Sequence, residues 1–219
     1  LKPRAARRLL LLGVLLLVIV VGGVGLVGVR SWQKKRRTQK LREQGMAAVQ
    51  AKDDYNAVEN LGLYLRRQPA DREAWLAFAA ASEHLEEPSG GHLRKALLGY
   101  SRAWALDESD PAVARKLLKL NTTLGQFPEA RDLALRLRPK DLATAKADVA
   151  DVIREEITAR IGLKAFDATL DALTRRLVEL QPESHSAAFL RVTYLIGAEK
   201  TPDALAFAES HRITLVSGP

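Results

Sequence analysis

The 219 residues include no cysteine, which excludes disulfides, thiolate-ligated zinc and thiol catalysis without assigning the chain to a side of any membrane. The first 42 residues include no acid. They hold 11 of the 34 Lys and Arg, so residues 43–219 carry 23 bases against all 26 acids. The formal charge of +8 therefore misleads, because it comes from one end while the remainder is near-neutral to acidic. A nucleic-acid module is disfavoured on this ground, since a phosphate backbone demands a basic surface along the fold itself.

Catalytic constellations are missing as well. No HExxH, GxSxG or GxxxxGK[ST] occurs. His84, His92, His185 and His211 are scattered, and only His84 has an acid, Glu87, at a ligand-like spacing. One His and one Glu on a loop edge read as a solvated helix end. The pairs Asp53-Asp54, Glu86-Glu87 and Glu155-Glu156 are adjacent in sequence, so on a helix they point apart and read as surface, not as paired acid and base. Within 1–219 no enzyme active site, metal or cofactor is expected.

What is present begins with Leu9–Val29, 21 residues without one polar side chain. As a helix this run extends about 31 Å, which matches a hydrocarbon core of about 30 Å. It is read as a transmembrane helix, because the apolar region of a cleavable signal peptide is only about 7 to 15 residues long and Arg30-Ser31-Trp32 is a poor cleavage context. Trp32 suits the interfacial belt, and Lys34, Lys35, Arg36 and Arg37 lie where anionic lipid head groups would attract them. Within the run, Gly23, Gly25 and Gly28 spell the GxGxxG of dinucleotide sites, but no strand, opening helix or downstream acid accompanies them and the match is rejected. Seven bases follow the run and four precede it, which points to a cytosolic soluble domain. A short basic head is also how a signal anchor that exports its domain begins.

Beyond the basic segment the chain is organised like the stretch Pro111 to Leu137. Asp110 caps a first helix and Pro111 fits its first position. Val113, Leu117, Leu120 and Leu124 form one apolar stripe, Gly125 supplies the left-handed residue that ends the helix, and Pro128 restarts the next. Ala130, Leu133, Ala134 and Leu137 face inward, small enough for two helices to approach closely. Starts of second helices align at Val58, Ala96, Ala130, Thr169 and Ala204, in steps of 38, 34, 39 and 35. The first long step holds the Pro- and Gly-bearing loop Leu85 to His92. In the second, Arg138 to Asp141 breaks the chain and Leu142, Ala145, Val149, Val152 and Glu156 mark a first helix longer than usual.

Residues from about 40 to 210 resemble tetratricopeptide (TPR) repeats, whose period is 34. Trp75 and Gly45 match the family's first-helix Trp and Gly, and Ala96, Tyr100 and Ala103 match its second-helix pattern. Gly125-Gln126-Phe127-Pro128-Glu129-Ala130 is close to its turn. The fourth repeat keeps Phe166 and Thr169 without the last small residue, and the fifth, with Thr201 to Ala204 and Ala208, lacks the closing Pro. No capping helix follows Ser210, and Ile213 to Val216 looks like a strand or tail. The expected fold is all-α: one N-terminal transmembrane helix, then an α-solenoid of about five helical hairpins. The expected segments are a basic head at 1–8, the span at 9–29, a basic juxtamembrane stretch at 30–42, the repeats at 43–210 and a tail or further domain at 211–219.

The resemblance implies a surface that holds other proteins. Outward positions of first helices include Arg115 and Lys119 in the third repeat and Arg154 and Thr158 in the fourth, a groove for an acidic segment or a carboxyl terminus in the way of chaperone-adaptor TPR grooves. The expected role is a membrane-anchored scaffold that assembles a complex of partner proteins. The alternative is the anchor and accessory part of a larger membrane enzyme whose catalytic part lies beyond residue 219.

Overall fold

The computed structural model describes residues 32–211, and all of its regular elements are helical. Ten α-helices follow one another in hairpin pairs. They are α1 (32–50) with α2 (Asp54–Leu65), α3 (Arg72–His84) with α4 (Gly91–Leu106), and α5 (Pro111–Thr123) with α6 (Phe127–Leu137). The last two pairs are α7 (Ala150–Gly162) with α8 (Ala168–Leu180), and α9 (His185–Gly197) with α10 (Thr201–Ser210). Local chemistry sets most starts: Asp53, Asp71, Asp110, Asp167 and Ser184 each accept a backbone N–H of the first turn through the side chain, and Pro opens α5, α6 and α10.

Four of the five hairpins close through the same turn. The first helix ends in a residue of positive φ, Lys52, Gly125, Lys164 or Glu199. That residue donates its N–H to a carbonyl three positions back, and the next residue donates to one five positions back. In the first repeat the bonds are Lys52 to Val49 at 3.1 Å and Asp53 to Ala48 at 2.9 Å; in the fourth they are Lys164 to Ile161 at 2.9 Å and Ala165 to Arg160 at 2.9 Å. Only Gly125 announces this turn in the sequence. The second hairpin replaces it with the loop 85–90, where Gly90 at φ 64° precedes α4.

Each hairpin stacks on the next, second helix against following first helix, as in α6 on α7 and α8 on α9. The corresponding inner position of the second helices is Ala57, Ala96, Ala130, Leu170 and Ala204, all essentially without solvent contact. This corrects the register at two repeats, since Val58 and Thr169 are only half-buried and their neighbours Ala57 and Leu170 take the inner place. A further lock joins neighbouring repeats. Phe127 at the start of α6 lies against Gly162 at the end of α7, and Phe166 before α8 lies against Gly197 at the end of α9, where any Cβ would overlap the ring. One core cluster joins the last two repeats, with members from Ala145 to Ala208, and is built around Ile153, Ile157, Leu170, Leu173, Leu177 and Leu195.

Three expectations are corrected here. The fourth first-helix is not longer than usual: α7 has 13 residues, as α5 has, and the extra chain forms two short 3-10 turns, Leu142–Thr144 and Ala147–Val149. The cause is distant, because Arg176 on α8 donates to the Ala143 and Ala145 carbonyls at 3.3 and 2.6 Å and holds them out of a helix. The architecture with a transmembrane helix and the single-pass membrane location are also corrected. Leu9–Val29, with its GxGxxG, lies outside the described residues, as does Ile213 to Val216. Among the described residues no helix is long and apolar enough to cross a membrane. Helices α2 to α10 run to 16 residues at most, short of the roughly 20 that a bilayer needs, and α1 is studded with Lys34, Lys35, Arg36, Arg37, Lys40 and Arg42. What is described is the helical solenoid alone.

The third correction concerns Glu156, which is not on the surface. It is fully buried between Arg138 and Arg160, with Arg160 Nε at 2.9 Å, and Arg138 also donates to the Pro139 carbonyl at 3.1 Å. A buried carboxylate survives only when its charge and lone pairs are met in this way.

Two stability predictions follow from these features. Lys164→Gly should raise the unfolding free energy by about 1 kcal/mol, and Gly125→Ala should lower it by about 1, since a side chain in the left-handed region is strained even where, as at Gly125, a Cβ has nothing within 4 Å. Urea titration of both variants measures this. Glu156→Ala should cost about 3 kcal/mol by removing the carboxylate shared by two largely buried guanidinium groups, which keep only the Pro139 carbonyl and Asp167, while the joint change of Arg138, Glu156 and Arg160 to apolar residues of similar volume should lose far less.

Candidate partner-binding face

Counting back from the left-handed residue puts the first helices in one register. Ten positions before it stand Arg42, Arg115, Arg154 and Phe189, and six before it stand Met46, Lys119, Thr158 and Thr193. Since α5 packs beside α7 and α7 beside α9, residues 115, 154 and 189 form one row and 119, 158 and 193 a second.

Three of the four residues proposed from sequence for the groove are already engaged within the chain. Arg115, exposed, donates to the Asp148 carbonyl at 3.2 Å and lies 3.9 Å from Asp151, tying α5 to the start of α7. Arg154 is half-buried and donates to Gln181 ahead of α9, with its Nε buried and unpartnered. Thr158 turns its hydroxyl back to the Arg154 carbonyl at 2.9 Å. Lys119 is exposed; its carbonyl accepts from the Thr123 hydroxyl at 2.9 Å, but its ammonium makes no hydrogen bond or ion pair among the described residues. The arginine row continues at the other end, where Arg42 on α1 reaches the α3 cap Asp71 at 2.7 Å and also meets Glu73. One residue outside this register does similar work: Arg72 on α3 reaches the α5 cap Asp110 at 2.6 Å.

Sequence reasoning missed Glu155, which sits half-buried between these cations. Burial pushes its carboxyl up, against the Thr122 hydroxyl and the charges of Lys119 and Arg154 that hold it down, while Asp151 adds to the rise. No local signal marks it, because the burial comes from the packing of α5 on α7. In the fifth repeat the row turns apolar: Phe189, 59% exposed, takes the arginine's place, and Ile196 is exposed on the same helix. The four histidines stay apart, with His84 nearest to Asp54 at 3.6 Å, and no group of metal-ligating residues occurs among the described residues.

No family model matches the chain, and no curated protein matches it. Solved structures do. They include MamA from MSR-1, 17% identical, over 80% of this chain and 95% of that one with a TM-score of 0.62. A second MamA crystal structure is 14% identical over 83% and 98%, with a TM-score of 0.60. MamA of Desulfovibrio magneticus RS-1, from position 41 to its end, is 14% identical over 80% and 93% at the same TM-score of 0.60. The fold is TPR-like. At these identities the likeness to MamA is one of fold alone, and the face just described rests on this chain's own residues.

Glu155 generates a pH prediction. A carboxyl raised in the fold binds protons more tightly there than in the unfolded chain, so stability falls as pH rises from the ordinary Glu value near 4.3 through the folded value. Glu155→Gln should not show that fall, and its stability relative to the parent should improve between pH 4 and pH 7 in parallel urea titrations. A constant difference across that range would show that the group titrates as if exposed.

Proposed function

We propose that the chain is a protein-interaction scaffold whose first-helix face, across α5, α7 and α9, receives an acidic segment of a partner protein. The observation that carries this reading is Lys119, an exposed cation whose ammonium makes no hydrogen bond or close ion pair among the described residues, with only the longer-range charge of Glu155 facing it, set in a row of side chains at one register. Arg115 and Arg154 line the same face, but their first task is to hold repeat to repeat, so their charge reaches a partner only in part, while Thr158 bonds back to its own helix. Stacked hairpins suit the role physically, because they present a long surface made of many outward side chains without a pocket that closes over a substrate. A scaffold of this kind assembles a complex by holding two or more partners along one array.

Photo-crosslinking residues placed at Lys119 or Thr193 should give adducts with partner proteins, while the same groups at Arg136 or Arg175, on second helices, should give none. Lys119→Glu should weaken capture several-fold at low salt and less at high salt, as expected of an exposed pair contributing about 0.2 to 1 kcal/mol. Adducts from the second-helix positions with none at Lys119 would defeat the assignment.

A further inference from the structure

The most strongly charged surface lies at the other end of the solenoid, where α1 begins. Trp32, Lys35, Arg36 and Gln39 on α1 meet Tyr64 and Gln68 around a cleft of about 530 Å³. Arg67 Nη1 donates to Thr38 Oγ1 at 3.2 Å and so pins the chain after α2 against this turn of α1. Lys34, Arg37 and Lys40 flank the cleft, all exposed. None of these five α1 cations makes an ion pair among the described residues, and no Asp or Glu occurs in residues 1–31 or 212–219 to supply one. Asp71 accepts from the cleft residue Tyr64 at 2.8 Å, and Arg42 already balances its charge at 2.7 Å.

The cleft therefore combines surplus positive charge, two side-chain amides and an indole face. Trp32 is half exposed, with the Arg36 guanidinium 4.1 Å from its ring centroid. We propose that this cleft binds the phosphate-bearing head group of an anionic phospholipid at a membrane surface, Lys35 and Arg36 meeting the anionic oxygens and Gln39 and Gln68 the polar remainder. Cations near an anionic leaflet gain by attraction to it, and an indole with an apolar body and a polar N–H suits the boundary between head groups and acyl chains. The contact is peripheral and needs no spanning helix. A nucleic acid fits less well: one cleft accommodates one head group, whereas a strand continuing along the solenoid would pass over residues 43–219, where acids outnumber bases by 26 to 23. The partner-binding face is elsewhere, on α5 to α9, so the two assignments stand or fall separately.

Flotation of the full chain with phosphatidylserine-containing vesicles and with pure phosphatidylcholine vesicles tests this. The ratio of the two partition coefficients is the readout, since apolar contributions common to both vesicle types cancel in it. The ratio should be about tenfold or more in favour of the anionic vesicles at low salt. Lys35→Ala with Arg36→Ala should reduce it by up to about thirtyfold, as expected for two cations at a charged surface, and Gln39→Ala with Gln68→Ala should reduce it less. Arg131→Ala with Arg136→Ala, on α6, should leave it unchanged, and circular dichroism checks that every variant keeps its helices. Equal partition into both vesicles, an unaltered ratio in the Lys35 and Arg36 variant, or an equal loss in the α6 variant would overturn the proposal. Full competition by millimolar inorganic phosphate would reassign the cleft to free phosphate, and displacement by a duplex oligonucleotide at equal charge would reassign it to nucleic acid; either result refutes the lipid assignment.

Discussion

Most of this solenoid depends on reversing the chain within about three residues at the end of the first helix, as four of the five hairpins do. The reversal works because one residue adopts positive φ and two backbone N–H groups reach back to carbonyls that would otherwise be unpaired. That geometry repeats at Lys52, Gly125, Lys164 and Glu199, and in each of the first four repeats the second helix packs on the following first helix. Three of the four turns use residues with a side chain, so packing of the hairpin, not local preference, holds them in place.

Polar side chains then act between repeats as much as toward solvent. Arg42, Arg72, Arg115 and Arg154 each leave a first helix and reach a cap, a carbonyl or an amide at or near the start of the next one. The Arg72 guanidinium bonded to Asp110 holds that carboxyl below the usual carboxylate range, and at Asp71 burial works upward but the bonds from Arg42, the backbone and Tyr64 outweigh it. An exposed arginine on a repeat protein is thus a poor indicator of a ligand until its intrachain acceptor has been looked for.

The hairpin from Pro111 to Leu137 was legible because its signals are local: Asp110 and Pro111 at one end, Gly125 and Pro128 in the middle. The turns at Lys52, Lys164 and Glu199 were not, since nothing in those residues favours positive φ. Leu142, Ala145 and Val149 have helical spacing, yet a guanidinium on α8 takes the carbonyls that a helix would need. Glu156 looked like surface because its partner Arg138 lies 18 residues earlier, beyond any window of periodicity. On the candidate face the sequence located Arg115, Lys119, Arg154 and Thr158 on first helices, whereas their separation into tied and untied groups needed the neighbouring repeat. Glu155 was lost for the same reason.

The phenylalanine and glycine locks have a mechanical consequence. Phe127 against Gly162 and Phe166 against Gly197 join the third repeat to the fourth and the fourth to the fifth, whereas no such pair joins the second repeat to the third among the glycine contacts of the described residues. In an array held together by nearest neighbours, tension applied at the ends is borne in series and yields first where the junction is weakest. The chain should therefore lengthen in steps under load, parting on the amino-terminal side of the third repeat while the three following hairpins extend together as a stiffer segment.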